Sequence, residues 1–208
     1  MKPLLPISVA ALAAAMFLGA EPSAYSLSGP SWSLAQMTYV VNAANLDLSG
    51  VAADTAVRAG ADVWLQQTGA FRFLYAGSSS QTTNTNDGVN LVLFRNASSG
   101  SAIATTYWWS SGGRIIDADV VFWDGAFMFF AGTSGCSGGF YIEDIAAHEF
   151  GHALGLAHST LAQATMYPST SSCNVQNRSL DADDIAGARA LYPLTQPPLA
   201  PTGFRMLP

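Results

Sequence analysis

The chain has 208 residues, half of them hydrophobic and only 11% charged, and carries a net charge of −6. That length gives room for one domain with a sizeable core, and the composition excludes a disordered chain. No stretch clusters lysine or arginine as a nucleic-acid footprint requires, so nucleic acid is not expected as a partner.

The chain opens with "MKPLLPISVAALAAAMFLGAEPSA": Lys2, an apolar run from Leu4 to Ala20, then small residues. This is the layout of a secretory signal peptide, expected to span residues 1–24 with cleavage after Ala20 or Ala24. A membrane anchor is the competing reading, but the run falls short of the roughly 20 residues that a spanning helix needs and contains Pro6. A secreted, extracellular protein that leaves the membrane once the signal is removed is therefore expected.

From Thr38, "TYVVN" is β-branched and aromatic and predicts a strand. In "LSGVAADTAVRAGADVWLQQTG", Ala53, Val57, Gly60 and Trp64 recur at helical spacing and Gly69 is a stop signal, so a helix should lie on the sheet. "FRFLYAG" and "GVNLVLFR" follow as strands across the polar loop "SSSQTTNTNDG". "AIATTYWW" and "RIIDADVVFW" are the next two. In the second, Ile116, Ala118, Val120 and Phe122 alternate with Asp117, Asp119 and Val121, which predicts one buried face. A last helix should begin at Asp181 as its cap, place Ile185, Ala188 and Tyr192 on one face, and end at Pro193. The fold class is α/β with one mixed sheet. Residues 194–208, proline-rich and without apolar periodicity, read as a tail or linker.

Cys136 and Cys173 are the only cysteines and bracket the segment "HEFGHALGLAHS". In an oxidising compartment they can pair, and a bridge would tie the two flanks together. Two buried free thiols, or a thiolate bound to metal, are the alternatives.

That segment holds all three histidines of the chain. Residues four apart share a helix face, so His148 and His152 can both point at one ion. Glu149 is close enough to reach a water on that ion without binding the ion itself. Gly155 can take positive φ at no Cβ cost, turning the chain to bring His158 to a third position. Three neutral imidazoles with an open fourth site match catalytic zinc, whereas structural zinc is usually closed by four protein ligands. The chemistry implied is peptide-bond hydrolysis with Glu149 as general base. A lone histidine on an apolar helix is ordinarily a satisfied core residue; the full spacing through His158 is what points to metal.

The eleven residues from His148 to His158 resemble the metzincin signature H-E-x-x-H-x-x-G-x-x-H, which is followed by a methionine turn. "ATMYP" supplies Met166. Together with "LDADDIAGARALYP" and "YSLSGPSWSLAQMTYVV", these segments resemble the matrixins over about residues 25–193. The resemblance implies a metzincin-like catalytic domain: a twisted, mostly parallel sheet over an active-site helix, a methionine turn and a C-terminal helix. It implies zinc on His148, His152 and His158, Glu149 as base, Gly155 and Met166 as structural support, and substrate backbone pairing along an edge strand near Ile103 to Trp109. Tyr167 follows the methionine directly and Pro168 takes the second position, a spacing that fits matrixins rather than serralysins or astacins. This sequence also departs from the family. No P-R-C-G-type cysteine-switch segment lies between the signal and Tyr25, and Thr170 stands where an aromatic often follows, which bears on the depth of the specificity pocket. No histidine is left for the family's second zinc.

The expectation is a secreted, monomeric zinc endopeptidase of a minimal, bacterial type acting on proteins or peptides, with one Zn2+ per chain. Ca2+ is optional: Asp117, Asp119, Asp124 and Glu143 are available for it, though solvated surface acids are the simpler reading of most of them. The alternative from another class is a non-catalytic secreted zinc-binding or adhesion module. An intact Glu149 argues against it.

Overall fold

The computed structural model of the protein describes residues 23–194; the signal-like run through residue 22 and the proline-rich tail from residue 195 lie outside them. In chain order the elements are β1 (Ser26–Leu27), β2 (Gln36–Asn42), α1 (Gly50–Thr68), β3 (Arg72–Ser78), β4 (Asn90–Phe94), β5 (Ala104–Ser111), β6 (Arg114–Phe122), β7 (Phe129–Phe130), β8 (Phe140–Tyr141), α2 (Ile142–Leu154), β9 (Leu156–Ala157), a 3-10 turn at Gln176–Arg178, and α3 (Ala182–Leu191). No described helix is long and apolar enough to cross a membrane.

The main sheet has the order β3-β2-β4-β6-β5. Its first four strands are parallel and β5 is an antiparallel edge, so this is the mixed α/β sheet expected. Alternation in β2 turns Met37, Tyr39 and Val41 inward. Ser49 caps α1 by accepting from the amide of Ala52, and Gly69 ends it in the left-handed region at φ 63°. The buried stripe of α1 includes Ala53, Val57, Gly60 and Trp64, as its spacing predicts. Gly60 lets α1 press directly onto α2: a Cβ there would lie 2.6 Å from the Cβ of Ala146 and 2.7 Å from the carbonyl oxygen of Glu143. Trp64 locks the pair by donating its indole N–H to the carbonyl of Ala147 at 2.8 Å.

An aromatic chain then joins the sheet to the last helix. Phe150 of α2 packs on Tyr39 and Phe73, and Phe71 packs on both Phe73 and Tyr192. Asp181 caps α3 in a capping box with Asp184, and Tyr192 at its end donates to the carbonyl of Leu154 at 2.7 Å. The first described residues are tied to α3 as well, since the amides of Ala24 and Tyr25 donate to Asp183.

β6 departs from the simple alternation read from its sequence. Ala118, Val120 and Phe122 are core, but Ile116 is 48% exposed and Ile115 is buried instead. The pairing with β5 gives the reason. Trp109 lies opposite Asp117 and Ser110 opposite Ile115, which leaves Ile116 as the extra, outward residue of a β-bulge. The reading of solvated acids is also corrected, because Asp117 and Asp119 are fully buried and Asp124 nearly so. The loop between β3 and β4 covers this second face. Its amides at Asp87 and Gly88 donate to Asp117, both at 2.8 Å, while Thr85 and Leu91 donate to Asp119 at 2.9 and 2.8 Å. Asp124 accepts from the amide of Leu46 at 2.7 Å.

Candidate metal centre and cleft

α2 carries Glu143 and Asp144 in its first turn, where carboxylates oppose the positive end of the helix. Arg178 clamps both, at 3.1 Å to Glu143 and 2.6 Å to Asp144, and its guanidinium sits over the Tyr141 ring. About one and two turns further on, His148 and His152 project from one face. Gly155 ends the helix with φ 116°, and a Cβ there would come within 3.1 Å of the carbonyl oxygen of Pro30, so both the angle and the space call for glycine. The chain reverses through β9, which pairs with β1, and delivers His158 to the other two histidines.

Hydrogen bonding sets the tautomers. Nδ1 of His148 lies 2.7 Å from the carbonyl oxygen of Thr165, and Nδ1 of His152 lies 2.8 Å from that of Leu156. A carbonyl only accepts, so each Nδ1 carries the proton and each Nε2 presents a lone pair. Yet Nε2 of His152 stands 3.1 Å from that of His148 and 3.2 Å from that of His158. Lone pairs converging at this distance repel unless a cation lies between them. Three corners of a tetrahedron with Zn–N bonds of about 2.0–2.1 Å are about 3.3–3.4 Å apart, so the donor set fits zinc in chemistry and in size. Burial pushes His148 and His152 down to about 4 and lowers His158, which keeps the rings neutral and ready to ligate.

Glu149 lines the same cavity as the histidines and is 5% exposed. Its Oε2 accepts from the Thr106 hydroxyl at 2.6 Å. Burial raises its pKa above the usual carboxylate value, opposed by the neighbouring His152 and by the Thr106 hydrogen bond. The methionine turn is held by α3: the amides of Thr165 and Met166 both donate to Asp184, at 2.8 and 3.1 Å. Met166 is buried against α2 so closely that a Cβ on Gly151 would meet its sulfur.

A cavity of about 650 Å³ opens over the histidines and Glu149, walled by Phe140, Ile145, Trp108 and Tyr167 among others. Thr170 lines it and accepts from Asn174 at 2.9 Å. Cys136 and Cys173 form a disulfide with Cα atoms 5.5 Å apart, which pins the loop before β8 to the segment after Thr170. The thiol and metal-ligand alternatives for these cysteines are thereby set aside.

The sequence-derived residues His148, Glu149, His152 and His158 thus line one cavity, Gly155 ends the helix behind them, Met166 packs against Gly151 of α2, and the edge strand expected near Ile103 to Trp109 is β5, beside the cavity. The four acids named for calcium do not join them. Among the described residues the three histidines are the group of ligating side chains that converges, while Asp117, Asp119 and Asp124 accept backbone amides and Glu143 faces Arg178. Sequence reasoning missed Thr106, the Thr165 carbonyl and Asp184. Only Asp184 had a signal, in the acidic run that caps α3.

A mixed sheet above a helix that ends in a glycine turn, with a methionine turn beneath, defines an α/β domain of metzincin type. The family model described as Matrixin matches residues 31–193, and the chain belongs to the matrixin family of zinc-dependent metallopeptidases. It is similar to matrix metalloproteinase-20 of Homo sapiens, with 31% identity over 169 residues covering 78% of this chain and 32% of that protein. Shorter matches are to the neutrophil collagenase of Homo sapiens, 52% identical over 59 residues (28% of this chain, 13% of that protein), and the hatching enzyme of Paracentrotus lividus, 53% identical over 60 residues (29% and 10%). The matched part of the chain spans at most a third of the length of these relatives.

Proposed function

We propose that the protein is a secreted zinc endopeptidase, monomeric, with residues 25–193 as its catalytic domain and residues 194–208 as a tail or linker. One observation carries the reading: three imidazoles converge on the floor of an open cleft, next to a buried carboxylate and beside the edge strand β5.

His148, His152 and His158, which line the cavity, would hold one zinc ion. Zinc bound there would supply Lewis acidity, which lowers the pKa of a bound water to about 7 and polarises a carbonyl. Glu149 takes the proton of the attacking water and delivers it to the leaving amine. Its burial raises its proton affinity, which suits a group that must accept a proton near neutral pH. The edge of β5, unpaired among the described residues, offers amides and carbonyls to an extended protein or peptide substrate. Gly155 sets the turn that brings in His158, and Met166 packs under α2 as support. Export rests on the signal-like layout of residues 1–24.

Glu149→Gln tests the assignment, because it leaves the histidines untouched and removes only the proton acceptor. Peptide hydrolysis is expected to fall by about 10²- to 10⁴-fold with one zinc per chain retained. Turnover near that of the unaltered protein overturns the role given to Glu149. A zinc-loaded native protein that cleaves no peptide would instead favour a non-catalytic binding module on this fold.

A further inference from the structure

Thr106 lies 43 residues before Glu149 and outside every motif in the sequence. It sits in the edge strand β5, where alternation directs Ala104, Thr106 and Trp108 toward the cavity and the main core, and Tyr107 toward the apolar cluster on the opposite face. Its hydroxyl carries one proton, and two oxygens of Glu149 are within reach: the main-chain carbonyl at 3.0 Å and Oε2 at 2.6 Å. The carbonyl lies inside α2 and has a helical amide of its own. The carboxylate oxygen is the stronger acceptor, and 2.6 Å falls in the range of charge-assisted O–H···O⁻ bonds, so the proton goes to Oε2.

We propose that Thr106 is a positioning residue for the base, its hydroxyl fixing Oε2 so that Oε1 is the oxygen presented to the cleft. Oε1 has no hydrogen bond among the described residues and is not sealed from solvent, whereas Oε2 is occupied. A glutamate on a helix has several rotamers, and this one is selected from a neighbouring strand instead of from the motif. The role of Glu149 as base rests on the peptidase reading above; the contact itself does not.

Thr106→Val keeps the β-branched shape and removes the donor. In the zinc-loaded protein kcat is expected to fall about tenfold, the effect of one hydrogen bond to a charged group, with KM within about twofold and zinc content unchanged. Thr106→Ser should restore most of kcat. A second arm needs no activity: in metal-free protein Thr106→Val should lower the melting temperature by about 3–6 °C, and this shift should shrink when Glu149 is already alanine and only the main-chain acceptor remains. An active native enzyme whose kcat survives Thr106→Val, a serine variant that fails to rescue, or a melting shift of the same size with and without Glu149 overturns the proposal. Absence of peptide cleavage by the native protein is a different result: it removes the peptidase reading and the catalytic half of this proposal with it, while the melting cycle still decides the contact.

Discussion

The two faces of the main sheet both gather polar side chains, and they settle them in opposite ways. On the helix side, His148 and His152 spend their N–H groups on carbonyls and leave their Nε2 lone pairs aimed at each other and at His158. On the loop side, Asp117 and Asp119 accept four amides from residues 85–91, so that apart from Oδ1 of Asp117 their oxygens are already served. Residue type alone does not make a metal site. What matters is how far the protein's own donors complete the group: on the loop side they satisfy all but Oδ1 of Asp117, whereas on the histidine side the Nε2 atoms meet one another.

The sharpest way to break this comparison is to count metal. Changing His148, His152 or His158 to alanine should abolish bound zinc, and Asp119→Asn should leave it at one per chain. Elemental analysis after dialysis against metal-free buffer decides. Two zinc ions per native chain would mean that the loop side also holds metal.

The next effect is covalent. The histidine side is tied by Cys136–Cys173, closing a loop of sequence separation 37, whereas the loop side is held by hydrogen bonds and apolar packing without a disulfide. By the chain-entropy model such a loop is worth about 4 kcal/mol. Replacing both cysteines with serine should therefore lower the denaturant midpoint strongly while zinc content at low temperature stays at one. A parallel loss of zinc would show that the bridge, and not the helix, assembles the histidines. Intact mass before and after reduction and alkylation checks the bond in the exported protein.

The two sides also carry opposite pH slopes. In metal-free protein His148 and His152 are held at about 4, below the ordinary histidine value of about 6.5, so the unfolded chain binds more protons in between. Their contribution is whole above about 6.5 and is lost as pH falls toward 4. Asp119 runs the other way. Burial, with Asp117 and Asp87 nearby, raises it to about 6, against the amide bonds from Leu91 and Thr85, so the folded state binds the extra proton. The group regains stability on acidification from 6 toward 4, on the order of 2–3 kcal/mol. Asp119→Asn removes that compensation, and the melting temperature of the metal-free variant should fall more steeply between pH 6 and 4 than that of the native chain. Parallel curves would mean that Asp119 ionises as an ordinary carboxylate.

The histidine side was legible in the sequence because its information is local: His148, Glu149, His152, Gly155 and His158 lie on one helix and its terminating turn, where spacing translates directly into position. Gly60, Trp64 and Asp181 were legible for the same reason. Thr106 was not, because it meets Glu149 only after strand and helix are packed, and a threonine in an edge strand is ordinary. Asp117 and Asp119 were misjudged on different grounds. Alternation in β6 separates the two faces but does not tell whether the second one is covered, and the polar loop "SSSQTTNTNDG" gave no sign that its amides would fold back onto them.

The smallest effect tests the bulge on which that two-faced arrangement depends. Period-two alternation counted from Phe122 back to Ile116 puts Ile116 in the core, but the register shifts between Trp109 and Ser110 of β5, leaving Ile116 as the extra residue of β6, turned outward, with Ile115 inward. Ile116→Ser should therefore change stability by no more than about 0.5 kcal/mol, the range of ordinary surface positions. Ile115→Ala should cost about 2–5 kcal/mol, as a core truncation does. Urea unfolding of the two variants measures both. Equal losses, or a larger loss at Ile116, would mean a strand without the bulge. The sense of the result reaches beyond one side chain: a shift of one residue along β6 exchanges its faces, and Asp117 and Asp119 would then turn from the amides of the loop toward the core packed against the helices.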